Sequence, residues 1–64
     1  MRRYKVKEVI DLLNEDGWYL KRCIGDHRQF KHPIKKGTVT VPGKLSETAA
    51  QELLNSIWKQ AGWR

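Results

Sequence analysis

The sequence predicts a two-layer α+β fold in the order α-β-β-β-α, in which two helices cover one face of a three-stranded antiparallel sheet. Two segments, one near each end of the chain, have apolar residues spaced as on an amphipathic helix. The segment between them has the branched and aromatic residues and the turn signals of three short strands. Hairpin connections make such a sheet antiparallel, and two amphipathic helices need one of its faces to bury their apolar stripes. With 64 residues, the chain is predicted to be a single domain over residues 1–64.

The first helix is predicted over residues 5–16. Its apolar residues follow one helical stripe at the i, i+3, i+4 and i+7 positions: Val6, Val9, Ile10 and Leu13. Gly17 comes directly after this segment. We expect it at the C′ position, where a residue in the left-handed conformation ends the helix.

The second helix has the clearest periodicity in the chain. Its apolar residues follow the helical pattern without a miss: Ala50, Leu53, Leu54, Ile57, Trp58 and Ala61. Ser46 and Thr48 are the candidate N-caps, and Thr48 has the capping-box spacing to Gln51. Gly62 marks the expected end of the helix.

The three strands are predicted over residues 18–24, 27–32 and 38–42. Gly25 and Asp26 separate the first two strands and form a two-residue hairpin signal. The third strand alternates valine with threonine, which is typical of a strand with one buried face. The sequence therefore predicts a hairpin followed by a third antiparallel strand.

The two-residue turn fixes which residues of the hairpin face each other. The expected pairs are Ile24 with His27, Arg22 with Gln29, and Lys21 with Phe30. Phe30 then points to the core, and His27 lies on the open face with Arg22 and Lys31. In this register Trp18 also lies on the open face, although its indole favours burial. A one-residue slip, which would exchange the two faces, is therefore an open alternative.

The net charge of +6 is concentrated in the middle of the chain. Residues 21–44 contain seven lysines and arginines and one acidic residue, Asp26, whereas charges balance in residues 1–20 and 45–64. A basic patch attracts a polyanion, because neutralised phosphates release their condensed counterions. We expect a nucleic acid as the partner; a solubilising surface is the alternative, although such a surface usually mixes both signs.

Composition excludes several other classes of protein. The single cysteine, Cys23, excludes an intramolecular disulfide and fits a reducing compartment. No segment has the character of a signal peptide or approaches the ~20 apolar residues of a membrane span, so we expect a cytoplasmic protein without a membrane partner. His27 and His32 should point to opposite faces, and no cysteine or acidic cluster completes a metal site. Neither a metal nor a cofactor is expected.

His27 is the candidate for acid–base chemistry. Imidazole is the side chain best matched to proton transfer near neutral pH. Beside a glycine turn and among cations, it suits RNA cleavage, in which a ribose 2′-OH attacks the adjacent phosphate and cationic neighbours stabilise the developing charge. A structural or merely exposed histidine fits the same residues, so both interpretations stay open at this point. His32, directly before Pro33, is expected to be a structural residue at the end of the strand.

Four blocks, spread over nearly the whole chain, resemble one protein family. They are KEVIDLLNEDGWYLKR, GDHRQFKHP, KGTVTVP and LNSIWKQAGW. In these blocks the chain resembles the HicA-type mRNA interferases, toxins of bacterial and archaeal type II toxin–antitoxin pairs. The resemblance implies a fold similar to double-stranded-RNA-binding domains and an endoribonuclease that needs neither metal nor ribosome and has one catalytic histidine, carried over to His27. It also implies a HicB-type antitoxin that covers the active face and is encoded beside the toxin.

Under this interpretation His27 acts as general base or general acid, and basic side chains hold the phosphates of the RNA. These candidate RNA-binding residues are Lys7, Arg22, Arg28, Lys31, Lys35 and Lys36. The chain departs from the family where Asp26 replaces the usual Ser or Thr before the histidine. Asp26 can favour the protonated form of His27, repel the substrate phosphate, or serve the turn. The alternative function is a decayed toxin that binds RNA or its antitoxin without cleaving.

Overall fold

A computed structural model describes residues 3–63 and has the predicted order of elements. The elements are α1 Val6–Glu15, β1 Tyr19–Ile24, β2 His27–Lys31, β3 Val39–Val41 and α2 Gln51–Gln60. The strands form one antiparallel sheet in the order β1-β2-β3, so β2 is central and β1 and β3 are its edges. The predicted fold class is confirmed.

Both helices pack against the same face of the sheet, and the core lies between the two layers. The buried apolar residues are Val6, Val9, Leu13, Trp18, Phe30, Val39, Val41, Ala49, Leu54, Ile57 and Ala61. Phe30 lies in the central strand directly opposite Val39, so it points to the core as predicted. Full burial of an apolar side chain of this size contributes about 1.5–3 kcal/mol. This layer therefore supplies most of the apolar stabilisation, and the other face of the sheet is left to solvent.

α1 ends at the predicted residue. Gly17 has a φ of 101°. Its N–H donates to the carbonyl of Asn14 at 3.1 Å, and the N–H of Trp18 donates to the carbonyl of Leu13 at 2.9 Å. These are the two bonds of a Schellman motif, which satisfies the last carbonyls of a helix. Glycine is required here for two reasons. The positive φ disfavours any other residue, and a Cβ added here would lie 2.8 Å from Nε2 of His32.

α2 begins later than predicted. Its N-cap is Ala50, which makes no side-chain capping bond, so the predicted capping by Ser46 or Thr48 is wrong. Thr48 instead forms an antiparallel bridge with Lys5. Because residue 48 pairs with the residue that precedes α1, it does not cap α2 in spite of the favourable spacing in the sequence.

The connection between β3 and α2 supplies hydrogen-bond acceptors for the first backbone N–H groups of α1. The carbonyl of Glu47 accepts from the N–H of Val6 at 2.9 Å, and the carbonyl of Leu45 accepts from the N–H of Lys7 at 3.1 Å. The first amides of a helix have no partner within the helix. Backbone carbonyls of a distant segment fill that need here, which joins the connection to α1.

β1 contains a bulge at Lys21 that the sequence did not reveal. From the hairpin, the first pairs are Ile24 with His27, Cys23 with Arg28, and Arg22 with Gln29. The register then shifts, so that Leu20, and not Lys21, lies opposite Phe30. The predicted register is therefore correct near the turn and wrong beyond Arg22. An inserted residue of this kind reverses the facing of every residue on its far side.

The bulge allows Trp18 to be buried. In a regular strand Trp18 would share the face of Arg22 and Ile24, because side chains alternate. After the shift it lies on the helix side and is 2% exposed. Its ring contacts the ring of His32 edge-on, with 5.1 Å between the ring centroids. The sequence register placed Trp18 on the open face, although its indole favours burial. A local bulge, and not a slip of the whole strand, places the indole in the core.

One carboxylate oxygen joins the ends of both helices to the loop after β2. Oδ2 of Asp16 accepts hydrogen bonds from Nε1 of Trp18 at 3.0 Å, from Nε1 of Trp63 at 3.0 Å and from Nζ of Lys35 at 2.6 Å. Nζ of Lys35 also donates to the carbonyl of Ala61, at the end of α2, at 3.1 Å. The bond from Lys35, with help from the two indoles, holds the pKa of Asp16 below its ordinary value of 3.8, although desolvation acts in the opposite direction.

The Asp16→Ala substitution is expected to destabilise the protein by about 1–3 kcal/mol at neutral pH, because it removes the acceptor of two indole N–H groups and one of the two acceptors of the Lys35 ammonium. Asp11→Ala is the matched control. Asp11 is exposed and forms an ion pair with Lys7 at 3.4 Å, so its loss should change stability by less than about 0.5 kcal/mol. Urea denaturation of the three proteins measures both values. Equal effects of the two substitutions would contradict the special role of Asp16.

The same pair of proteins has a predicted pH dependence. A carboxyl group whose pKa is lowered by folding contributes stability above its unfolded pKa and loses that contribution as the pH falls through its folded pKa. The stability difference between wild type and Asp16→Ala should therefore shrink as the pH falls below 3.8. A difference that stays constant or grows in acid would contradict the assignment.

Candidate functional site

The face of the sheet opposite the helices carries His27. Directly opposed residues of neighbouring strands point to the same face. We define the open face by the residues of the following cross-strand rows: Ile24 and His27; Arg22, Gln29 and Thr40; Tyr19 and Lys31. The structure thus places Arg22 and Lys31 on the face of His27, as the sequence register predicted.

His27 is the first residue of the central strand and is exposed to solvent. It follows the Gly25-Asp26 turn, in which Gly25 has a φ of 56° and Asp26 does not have a positive φ. That pattern is expected of a II′ turn, which takes glycine at its first central position. The turn presents the imidazole at the end of the hairpin, so a ligand can reach it without displacing any element of the fold.

His32 has a different environment from His27. The backbone N–H groups of Ile34 and Lys35 both donate to its Nδ1 at 3.0 Å. Nδ1 must therefore carry a lone pair, which places the proton on Nε2, and Nε2 donates to the carbonyl of Asp16 at 2.7 Å. Both ring nitrogens are used to hold the strand end and the following loop, in agreement with the structural role expected for this residue.

Two of the predicted RNA-binding residues are engaged in bonds within the fold. Arg28 lies opposite Val41 on the helix side of the sheet, and its Nη1 donates to the carbonyl of Gly43 at 2.6 Å. Lys35 is half-buried and bonds to Asp16. The basic character of these residues in the sequence therefore overstates the charge available to a ligand on the open face.

The other two predicted RNA-binding residues lie away from the open face. Lys7 is on α1, on the far side of the sheet, in an exposed ion pair with Asp11 at 3.4 Å. Lys36 is exposed in the loop that follows β2. The structure therefore brings Arg22 and Lys31 together with His27 and does not bring Lys7, Arg28 or Lys35 to the same face.

The open face also contains residues that were not proposed as site residues from the sequence. Tyr19 and Ile24 are 50% and 59% exposed, and Gln29 presents an amide that both donates and accepts hydrogen bonds. The face of Gln29 follows from the hairpin register. The position of Tyr19 does not, because it depends on the bulge at Lys21.

Residues 3–63 contain no group of three or more His, Cys, Asp and Glu side chains placed to hold a metal ion. In the same part of the chain, no helix has the length and apolar character needed to cross a bilayer. Independence from metal ions remains a prediction to be tested on the protein itself.

Comparison with known families places this geometry in context. The family model for the HicA toxin of bacterial toxin–antitoxin systems matches residues 6–63, which include all five elements and the whole open face. The chain belongs to the HicA toxin family. Membership in a toxin–antitoxin family implies an antitoxin partner for this HicA chain, and HicA toxins generally act as mRNA interferases. A search of curated proteins returned no match.

The two histidines of this HicA chain are predicted to differ in their effect on stability. His27→Ala should change the free energy of unfolding by less than about 0.5 kcal/mol, because the ring is exposed. His32→Ala should cost about 1–3 kcal/mol, because it leaves polar groups of the strand end unpaired. Urea denaturation of both variants tests the contrast. A strongly destabilised His27→Ala protein would contradict the exposed placement of the ring.

Proposed function

We propose that this HicA toxin is an endoribonuclease that cleaves mRNA without a metal ion or the ribosome and uses His27 for proton transfer. The observation that carries the proposal is the exposed imidazole of His27 on the same sheet face as Arg22 and Lys31, in a chain of a toxin family. An RNA strand laid on this face reaches the ring and the cations together. Action on mRNA places the protein in the cytoplasm.

The proposed reaction transfers a phosphodiester within the RNA strand. The 2′-oxygen of a ribose forms a bond to the adjacent phosphorus, and the bond from phosphorus to the 5′-oxygen of the next nucleotide breaks. The products are a 2′,3′-cyclic phosphate and a 5′-hydroxyl. One proton leaves the 2′-oxygen and one reaches the 5′-oxygen, and His27 serves one of these ends as general base or general acid. Proton transfer by a positioned side chain typically contributes about 10²–10⁴-fold.

Arg22 and Lys31 are proposed to hold the phosphates of the bound strand. Arg22 lies one cross-strand row from His27, about 7 Å along the sheet. Its planar guanidinium can bind two phosphate oxygens at once, which suits charge stabilisation near the reacting group. Lys31 lies one row further and suits a more distant phosphate as a point charge.

The position of Asp26 supports a role in the turn. Asp26 is the second residue of the hairpin turn and is exposed, which is a common place for aspartate. It nevertheless adds a negative charge beside His27 where the family usually has Ser or Thr. This observation favours the second candidate function, in which the protein binds RNA or its antitoxin without cleaving.

The antitoxin is proposed to be of the HicB type and to cover the open face. The positive charge at Arg22 and Lys31 suits an acidic partner surface, and the exposed apolar side chain of Ile24 beside His27 favours burial in an interface. A protein seated there would separate His27 from RNA.

Purified wild-type protein is expected to cleave a labelled RNA in the presence of a chelator, and His27→Ala should lower the rate by about 10²-fold or more. Growth arrest after induced expression, with mRNA degradation as the readout, should disappear in the same variant. Asp26→Ser is the companion variant, and it should retain cleavage, since serine also suits the turn.

The second candidate function makes the opposite prediction for the same assay. Binding of the RNA without any product, at every pH near neutrality, would support a module that does not cleave. Undiminished toxicity of a folded His27→Ala variant would refute the assignment of His27.

RNA affinity is predicted to depend on the cations of the open face. The log of the affinity falls linearly with the log of the salt concentration. In a His27→Ala background, which prevents cleavage, Arg22→Ala or Lys31→Ala should make this slope less negative by about 0.7, the value for one lost contact to a single-stranded phosphate. Lys7→Ala, an exposed lysine on the far side of the sheet, should leave the slope unchanged. A salt titration followed by fluorescence anisotropy measures all three. An equal loss for Lys7→Ala would place the RNA across α1 instead.

A further inference from the structure

Tyr19 supplies the aromatic ring of the open face. It lies opposite Lys31 at the end of β1 and is 50% exposed. Regular alternation back from Arg22 would turn Tyr19 toward the helices and leave Leu20 on the open face. The bulge at Lys21 exchanges these two positions, so a large ring stands on the face of His27.

The core does not account for Tyr19. Neither the buried cluster nor the apolar side chains packed on its border include it. β1 is an edge strand and all six of its residues are exposed, so the ring contributes little to folding where it stands. A single exposed aromatic residue is ordinary in itself. Tyr19 matters because it shares its face of the sheet with His27, Arg22 and Lys31.

The rows of the open face place different chemistry in a line. His27 lies at one end, Arg22 and Gln29 come next, and Tyr19 with Lys31 lie at the other end. Lys31 is four residues from His27 along β2, which corresponds to about 13 Å. Proteins that bind single-stranded nucleic acid combine cations that follow the backbone with aromatic rings on which bases stack. The open face contains both components in this order.

We propose that Tyr19 forms a base-stacking subsite for single-stranded RNA, with Lys31 holding the phosphate beside the stacked base. The subsite lies about four stacked nucleotides from the phosphodiester at His27, since about 13 Å separates the rows and stacked nucleotides rise about 3.4 Å each. The proposal deepens the proposed ribonuclease function and rests on it for the identity of the substrate.

The bound nucleotide must be unpaired. In a duplex the faces of the bases are covered by their neighbours, and a side chain on a sheet surface cannot stack on them. Stacking accepts any base, because every base has a π-face. Tyr19 therefore selects an unpaired nucleotide over a paired one at this position of the RNA, and it imposes only a modest preference for the identity of the base.

Binding tests the subsite without cleavage. The probe is a single-stranded RNA that contains 2-aminopurine, a base whose fluorescence is quenched by stacking, and the parent protein is His27→Ala. Adding Tyr19→Ala should weaken binding about 5- to 150-fold and remove the quenching. Tyr19→Phe should keep both, because the ring is retained. Leu20→Ala is the matched control, since Leu20 is the neighbouring residue on the other face with a similar exposure of 52%.

Two results of the binding experiment would overturn the proposal. One is unchanged affinity and quenching in the Tyr19→Ala protein. The other is an equal loss of affinity for an RNA duplex of the same sequence, which would show that Tyr19 contacts the backbone and not an unpaired base.

A cleavage experiment separates this proposal from the function on which it rests. Substrates with one cleavage site receive an abasic nucleotide at each position in turn. One abasic position should slow wild-type cleavage and have no further effect on Tyr19→Ala, because ring and base act as a pair. Cleavage by wild type with no such position would overturn the subsite alone. Quenching that depends on Tyr19, without cleavage of any RNA by wild type, would overturn the ribonuclease and leave the subsite standing.

Discussion

The fold depends on the hydrogen bonds received by one carboxylate oxygen of Asp16. Trp18, Trp63 and Lys35 donate to that oxygen from the start of the sheet, the end of the chain and the loop after β2. A folded chain of 64 residues buries only about 60% of the surface that it exposes when unfolded, so apolar packing alone gives it a small margin of stability. A charge-assisted junction of this kind also specifies direction, because each donor must point at the same atom.

The hydrogen bonds to Asp16 fix one end of the central strand, and the other end, which begins with His27, is exposed to solvent. His32 follows β2 and bonds to the carbonyl of Asp16, so the far end of the strand is held by the same corner. His27 starts β2 and is exposed. Because β2 is paired with β1 on one side and with β3 on the other, the rest of the strand is also held in position. The side chain of His27 can therefore be held at a defined place although it is exposed to solvent.

The need to bury Trp18 also determines which residues the open face receives. Trp18 must reach the helix side to donate to Asp16, whereas Arg22 lies on the open face beside His27. Positions 18 and 22 share a face in a regular strand, so both demands cannot be met without an inserted residue. The bulge at Lys21 meets both and turns Tyr19 outward as a consequence. A constraint of the core thus places an aromatic ring on the surface proposed to bind RNA.

The features that could be predicted from the sequence are those set by near neighbours in the chain. The helix stripes, the end of α1 at Gly17 and the pairing of Ile24 with His27 depend on residues within one turn or one hairpin. The bulge, the missing cap on α2 and the acceptor role of Asp16 depend on segments that meet only in the folded chain. Charge shows the difference clearly: Lys31 and Lys35 are equivalent in the sequence, but Asp16, 19 residues earlier, binds Lys35.

The shape of the site limits how such a protein can be inhibited. The open face is a surface and not a cavity, so an inhibitor must cover it. A standard protein interface buries about 800 Å² on each partner, about one sixth of the 4555 Å² accessible here. The row of Tyr19 lies only about 13 Å from the row of His27. An antitoxin seated on the open face with an interface of ordinary size would therefore cover both rows, and would block the proposed proton transfer and the proposed base stacking in a single binding event.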